Sequence, residues 1–172
     1  MKWFPLALSC ALSSCAAAQP NKAVATSVGS PHALLATYDT FSFGLSDQPK
    51  PGYEVTSRSL EVQRRLRPVV QAALVARGYV ESDTESDFVI KLATGTGPVP
   101  VANVQRSAPS PLARGYIGIG IYDRRSGTEV WHGSAFAEID PIQIDDGLLR
   151  MGVEHMFSGL PSKDSGKVAA AR

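Results

Sequence analysis

Cysteine is almost missing from this chain. Both copies, Cys10 and Cys15, sit near the start, and everything after them is free of thiols. A domain built from that remainder has no thiol catalysis, no thiolate metal site and no disulfide. Histidine is scarce too. His32, His132 and His155 are the whole supply, none lies at metal spacing from another, and there is no His-Glu-x-x-His. No Gly-x-Ser-x-Gly elbow occurs. Thr94-Gly95-Thr96-Gly97 runs into Pro98 and Pro100, where a phosphate loop needs a helix N-terminus. Charge of one sign is not in excess: 17 Lys and Arg face 16 Asp and Glu. No field draws the chain to nucleic acid, and no nucleic-acid partner is expected. Long apolar runs are missing as well. Trp3 to Leu12 is the longest candidate, short of the roughly 20 residues that span a bilayer. No nucleophile–base pair is visible, so the expectation is a protein that is not an enzyme, with no catalytic residue, metal or cofactor.

What is present begins with an address. Met1-Lys2 followed by the apolar run from Trp3 reads as a secretory signal peptide. Leu12-Ser13-Ser14-Cys15 resembles the bacterial lipobox, in which the cysteine takes lipid on its sulfur and becomes the mature N-terminus. Ala16-Ala17-Ala18 is the competing cleavage site and would release a soluble protein starting at Gln19. The order Leu, small, small, Cys and the short apolar run favour lipidation at Cys15, with 1–14 removed. Ala16 rather than Asp follows Cys15, which by the lipoprotein sorting rule implies the outer membrane. Residues 15–32, small and polar, read as a flexible tether.

The rest reads as one domain over 33–161. Leu34 to Phe43 is predicted as a strand and Gly44 to Thr56 as a loop. Ser57 to Arg77 carries Leu60, Leu66, Val69, Val70, Ala73 and Leu74 at helical spacing, with Ser57 or Ser59 as cap and Gly78 as stop. Pro68 predicts a kink or a restart there. Arg58, Arg64, Arg65 and Gln71 form its polar face, open to solvent or to an anionic headgroup or partner. Phe88 to Thr94 alternates as a strand. Gly95 to Arg114, rich in Gly and Pro, is long for a loop, and Val99 to Val104 is a possible edge strand within it. Asp146 to Ser158 reads as a second helix, with Asp145-Asp146 as its cap rather than an acid–base pair. Residues 162–172 read as a disordered tail.

Between the strand at Phe88 and the second helix lies a hairpin, Gly115 to Ile139. Ile117, Ile119 and Ile121 alternate with Gly118 and Gly120, and a three-residue turn at Arg125-Ser126-Gly127 sets Ile121 against Trp131. The isoleucine–tryptophan face is predicted as core. The other face carries Tyr116, Tyr122, Val130, His132 and Phe136. If the helices cover only the first face, these five stand exposed as a candidate partner-binding surface. The alternative is that the aromatics merely cover the strand glycines.

Tyr38-Asp39-Thr40-Phe41-Ser42-Phe43, Arg77-Gly78-Tyr79, Asp87-Phe88-Val89-Ile90, Gly118 to Asp123, Val130-Trp131-His132-Gly133 and Phe157 to Pro161 follow one another after the lipobox. In that order they resemble the domain-of-unknown-function 4136 (DUF4136) family of bacterial lipoproteins, over most of Leu34 to Pro161. The resemblance implies an envelope lipoprotein and brings no catalytic residues. The element order also looks like the plug lipoprotein of lipopolysaccharide transport, a likeness of order alone. The fold expected is α+β: an antiparallel sheet of about four strands with two helices on one face, in the order β-α-β-β-β-α. The function expected is a non-enzymatic lipoprotein at the periplasmic face of the outer membrane, attached to it through its N-terminal lipid and binding or scaffolding an envelope protein partner. The alternative is a domain that holds a small molecule or lipid between helices and sheet.

Overall fold

A computed structural model describes residues 24–29, 32–98, 113–139 and 144–163. The signal peptide, Cys15, the possible strand at Val99 to Val104 and the tail beyond Lys163 lie outside the described residues.

Alternation builds the centre of the molecule. β4 (Phe88–Pro98), β5 (Ala113–Asp123) and β6 (Glu129–Ile139) form an antiparallel meander of 11-residue strands. Phe88, Ile90 and Leu92 line up with Ile121, Ile119 and Trp131 on one face, and all of them are buried. β4 outruns its predicted end at Thr94. Gly95 to Pro98 pair with Tyr116 to Ala113, so part of the Gly- and Pro-rich segment is strand rather than loop. The turn between β5 and β6 is a residue longer than predicted. Asp123 N–H donates to Thr128 O at 2.9 Å, leaving Arg124 to Gly127 as the loop, with Gly127 at φ 70° in the left-handed region.

The sheet is larger than expected and not purely antiparallel. Its strand order is β1-β6-β5-β4-β2-β3, with β1 at Val24–Gly29, β2 at Thr40–Phe43 and the two-residue β3 at Val80–Glu81. β2 pairs parallel with both β4 and β3. The physical reason is the crossover. A helix joins β2 to the strands that follow, and a strand–helix–strand unit returns the chain in the same direction. β1 corrects the reading of 15–32 as tether, because its six residues pair antiparallel with Trp131 to Phe136. The predicted strand from Leu34 begins instead as the short helix α1 (His32–Leu35) and becomes strand only at Thr40.

Two helices cover the isoleucine face. α2 (Ser57–Val75) is capped by Thr56, whose hydroxyl accepts from Ser59 N–H at 3.1 Å while Ser59 Oγ accepts from Thr56 N–H at 2.8 Å. It runs through Pro68 as one helix. Leu66, Val70 and Leu74 are fully buried, but Leu60 is 50% exposed and drops out of the predicted stripe. α3 (Asp146–Phe157) is capped by Asp145, which accepts from Gly147 N–H at 2.8 Å and Leu148 N–H at 3.1 Å. Val153, Met156 and Phe157 are fully buried, with Phe157 5.3 Å from the Trp131 ring. Burying each such side chain contributes about 1.5–3 kcal/mol. Beyond α3 the chain stays attached: Lys163 N–H donates to Arg77 O at 3.0 Å, and its ammonium lies 2.7 Å from Asp39. The first residues of the predicted tail are therefore part of the domain.

Candidate functional site

The five residues of the candidate partner face do not stand bare. Tyr116 is only 4% exposed and Val130 8%, while Tyr122, His132 and Phe136 are half-buried. Two causes account for this. At Val130 the ladder slips, with Ile121 opposite Trp131 but Tyr122 opposite Glu129, so Val130 is an extra bulged residue and joins the apolar core. Over Tyr116 and Phe136 the cover is the 44–56 segment. Tyr53 lies 5.3 Å from the Tyr116 ring and 5.7 Å from Phe136, which itself pairs with Tyr116 at 5.3 Å.

Gly95 and Gly97 admit that segment. A Cβ on Gly97 would meet Gly52 O at 2.7 Å, and one on Gly95 would meet Tyr53 and Pro49 side chains at 2.8 and 2.9 Å. Backbone pairs then fasten the segment along β4. Gly44 N–H donates to Ile90 O, Asp47 N–H to Leu92 O, and Glu54 and Thr96 exchange two bonds of 2.9 Å. Tyr122 Oη donates to Asp47 Oδ2 at 2.7 Å, with the Lys91 ammonium 4.1 Å from the ring centre. Burial first, and then the Asp47 carboxylate, push the Tyr122 hydroxyl pKa far above its ordinary value. The aromatics also shield the strand backbone: Tyr116 lies over Gly118 and Tyr122 over Gly120, as the covering reading of this face expects. Tyr122, His132 and Phe136 keep part of their surface open; His132 lies 2.9 Å from Glu129, and Phe136 lies between the Arg114 and Lys50 cations at 5.1 and 5.7 Å.

The space that could take a guest lies on the other side of the sheet. A cavity of about 620 Å³ opens where the first turns of α2 and α3 diverge above the ends of β4, β5 and β6. Its apolar wall is Val62, Ile117, Ala135, Ile144 and Leu149, and Gly152 widens it from above. The two helix caps fix its sides. Thr94 Oγ1 donates to Ser59 O at 2.9 Å and ties α2 to the floor. Arg65, 3.3 Å from Asp146, bridges the two helices at the rim.

Arg58 stands out among the lining residues. Its Nη1 donates to Glu61 Oε2 at 3.4 Å, a long contact. Nε and Nη2 are buried and have no hydrogen-bond partner among the described residues. The acidic groups at the mouth are otherwise engaged: Asp145 caps α3 and Asp146 faces Arg65. The sequence placed Arg58 on a polar face. A signal against that was available, because Arg58, Val62, Leu66, Val69 and Ala73 make one row at helical spacing, and the other four are apolar. Among the described residues no group of three or more His, Cys, Asp or Glu is placed to hold a metal ion, and no helix is long and apolar enough to cross a membrane. The predicted lipidation residue, Cys15, lies outside the described residues.

No protein-family model matches this chain, and no curated protein matches it. Solved structures do. The PelC dodecamer from Paraburkholderia phytofirmans aligns over 82% of this chain and 99% of its own at 10% identity and a TM-score of 0.54. A PDZ domain protein from Parabacteroides distasonis aligns at 13% identity and a TM-score of 0.51, over 80% of this chain but 36% of its own. At such identities the likeness is one of fold. The structural neighbours also include a DUF4136 family protein from Bacteroides thetaiotaomicron, the family that the sequence resembles, at 13% identity and a TM-score of 0.48, over 82% of this chain and 97% of its own.

Proposed function

We propose that this chain is a non-enzymatic cell-envelope lipoprotein, held through Cys15 at the periplasmic face of the outer membrane, whose domain holds a small molecule or lipid between its helices and its sheet. The observation that carries the binding reading is the cavity of about 620 Å³. Ligand sites typically run to about 300–1,000 Å³, mostly apolar with a few convergent polar groups, and this one has apolar walls and a guanidinium at one side. Its test starts from the mature protein purified from cell envelopes. Native mass spectrometry is expected to find a small molecule bound to the wild type and depleted from Gly152→Leu, whose side chain projects from α3 toward Ile117 and Ala135 and takes up part of the cavity. A wild type that carries nothing, and that takes up no alkyl probe, overturns the binding reading. Mass analysis of the mature N-terminus checks the anchor: an unmodified Gln19 as first residue overturns it.

A second reading, partner binding or scaffolding, is supported by two observations. The same fold is seen in the PelC dodecamer. Phe136 also keeps a half-open ring flanked by Lys50 and Arg114. Phe136→Lys leaves Tyr53 packed on Tyr116, so the domain stays folded. An assembly that survives this substitution, or a wild type that is monomeric in solution and crosslinks to nothing in cells, ends that reading.

A further inference from the structure

We infer that the cavity takes an anionic amphiphile: a carboxylate or phosphate head paired with the Nε–Nη2 edge of Arg58, and an aliphatic chain laid against Ile117, Ala135 and Leu149. The inference rests on the binding reading above and adds the class of ligand. Nε and Nη2 are adjacent donors on one edge of the guanidinium, the arrangement that grips two oxygens of a carboxylate or phosphate side by side. Both are closed off from solvent and neither has an acceptor among the described residues, so an anion in the cavity reaches this edge by a turn of the Arg58 side chain, 21% of which is already exposed there. An arginine stays charged at any ordinary pH. A charged edge left buried without an acceptor is costly, and an anion that reaches it removes the cost. Arg65, the other arginine described at the mouth, is already shared between Glu61 at 2.9 Å and Asp146 at 3.3 Å. The sheet wall is apolar and suits a chain, while the two carboxylates that also line the cavity, Asp145 and Asp146, are held by the first amides of α3 and by Arg65.

Three eight-carbon probes separate the parts of the inference: octanoate, octyl phosphate and 1-octanol. Each is titrated calorimetrically into the mature protein in phosphatidylcholine nanodiscs, with protein-free discs as blank. The anions are expected to bind at least about tenfold tighter than octanol, and Arg58→Gln to remove that advantage while leaving octanol binding unchanged. Arg58→Lys, which keeps charge but not the paired donors, falls between. Binding of octanoate alone identifies a fatty acid as the source, and binding of octyl phosphate alone a phosphate headgroup. Octanol binding as tightly as both anions overturns the inference while leaving the cavity as a ligand site. If no probe binds, the binding reading fails and this inference with it. The wild-type comparison needs no variant to fold. A second wild-type readout is pH: octanoate affinity falls below about pH 5 as the probe protonates, and octanol affinity does not.

Discussion

The two faces of the sheet exclude water by unlike means. On one side, two helices press an apolar layer onto Ile119, Ile121 and Trp131, and side-chain packing makes most of the contact. On the other, an irregular segment, 44–56, is fastened by backbone pairs along β4 and laid flat over glycines, with one ring, Tyr53, as its principal apolar contact. The first face is stable because much area is buried. The second is closed because two residues of β4 have no side chain to hold the segment away. A cover of the second kind opens locally at a fraction of the global unfolding free energy.

The contrast can be broken from either side. Phe157→Ala removes a fully buried ring from between Trp131 and Arg77. It is expected to cost about 3–5 kcal/mol in urea unfolding, with the whole domain losing stability together. Gly97→Val acts on the loop face. Its Cβ collides with Gly52 O, which is backbone and cannot turn aside. The expected cost is about 1–3 kcal/mol, and the signature is local: faster proteolysis within 44–56 and faster hydrogen exchange at Asp47 and Glu54, with the helix amides unchanged. Uniform loss of protection would show that the two faces are not separable.

Titration sharpens the comparison further. Asp87 Oδ2 accepts from Asp39 N–H at 2.8 Å, Thr40 N–H at 2.9 Å and the Thr40 hydroxyl at 3.0 Å, and these bonds, the Asp39 N–H first, hold its pKa below the usual carboxylate range. Asp123 is pushed down to about 2, chiefly by the Tyr38 hydroxyl and then by Ser126 N–H. Both carboxylates favour the folded state when ionised. Their contribution is intact above about pH 4 and is lost as pH falls through the depressed values toward 2. Tyr79 moves the other way, to about 12, because burial disfavours its phenolate. Its contribution is intact below pH 10 and is lost as pH rises toward 12. Thermal unfolding followed from pH 2 to 12 is therefore expected to plateau in the middle and fall on both limbs. Asp87→Asn, at an exposed site, is expected to lower stability at pH 7 by about 1 kcal/mol and to flatten the acid limb alone. A steep acid limb that survives Asp87→Asn and Asp123→Asn together would sink this account.

The smallest expected effect is a gain. A Cβ at Gly152 meets Ile117 Cδ1 at 3.6 Å and Ala135 Cβ at 3.9 Å, both ordinary contacts. Gly152→Ala is expected to stabilise α3 by about 0.5–1 kcal/mol, measured by chemical denaturation, while narrowing the cavity. A loss would mean that α3 packs more tightly on the sheet than these spacings show.

How much of this was legible in the sequence varied with how the information is stored. The β5–β6 register from Ile117 to Trp131 follows from alternation, because one oily face leaves one way to pair. Asp145 carries cap chemistry that local sequence displays; the cap of α2 falls on Thr56 rather than on Ser57 or Ser59, with Ser59 completing the capping box. The parallel pairing of β2 with β4 was also derivable, since a helix lies between them, but the isoleucine hairpin drew the whole sheet toward an antiparallel reading. β1 was out of reach. Val24, Thr26 and Val28 are β-branched and alternate, but they lie in a small, polar run between Pro20 and Pro31 that reads as linker, and an edge strand needs only a partner's backbone. The bulge at Val130 leaves no mark in a run of apolar residues. The loop cover was hidden because nothing local says which surface Tyr53 will meet. The cavity depends on how far apart two helix starts fall, and only the apolar row beginning at Arg58 hinted at it.

β1 also sets a working radius for the proposed anchor. With Cys15 held in the bilayer and Val24 hydrogen-bonded into the sheet, only Ala16 to Ala23 separate lipid from domain. Fully stretched, that length reaches about 30 Å. A leash running to Pro31 would reach nearly twice as far. An anchor at Cys15 would therefore keep the domain within that distance of the membrane, and whatever it meets must come as near.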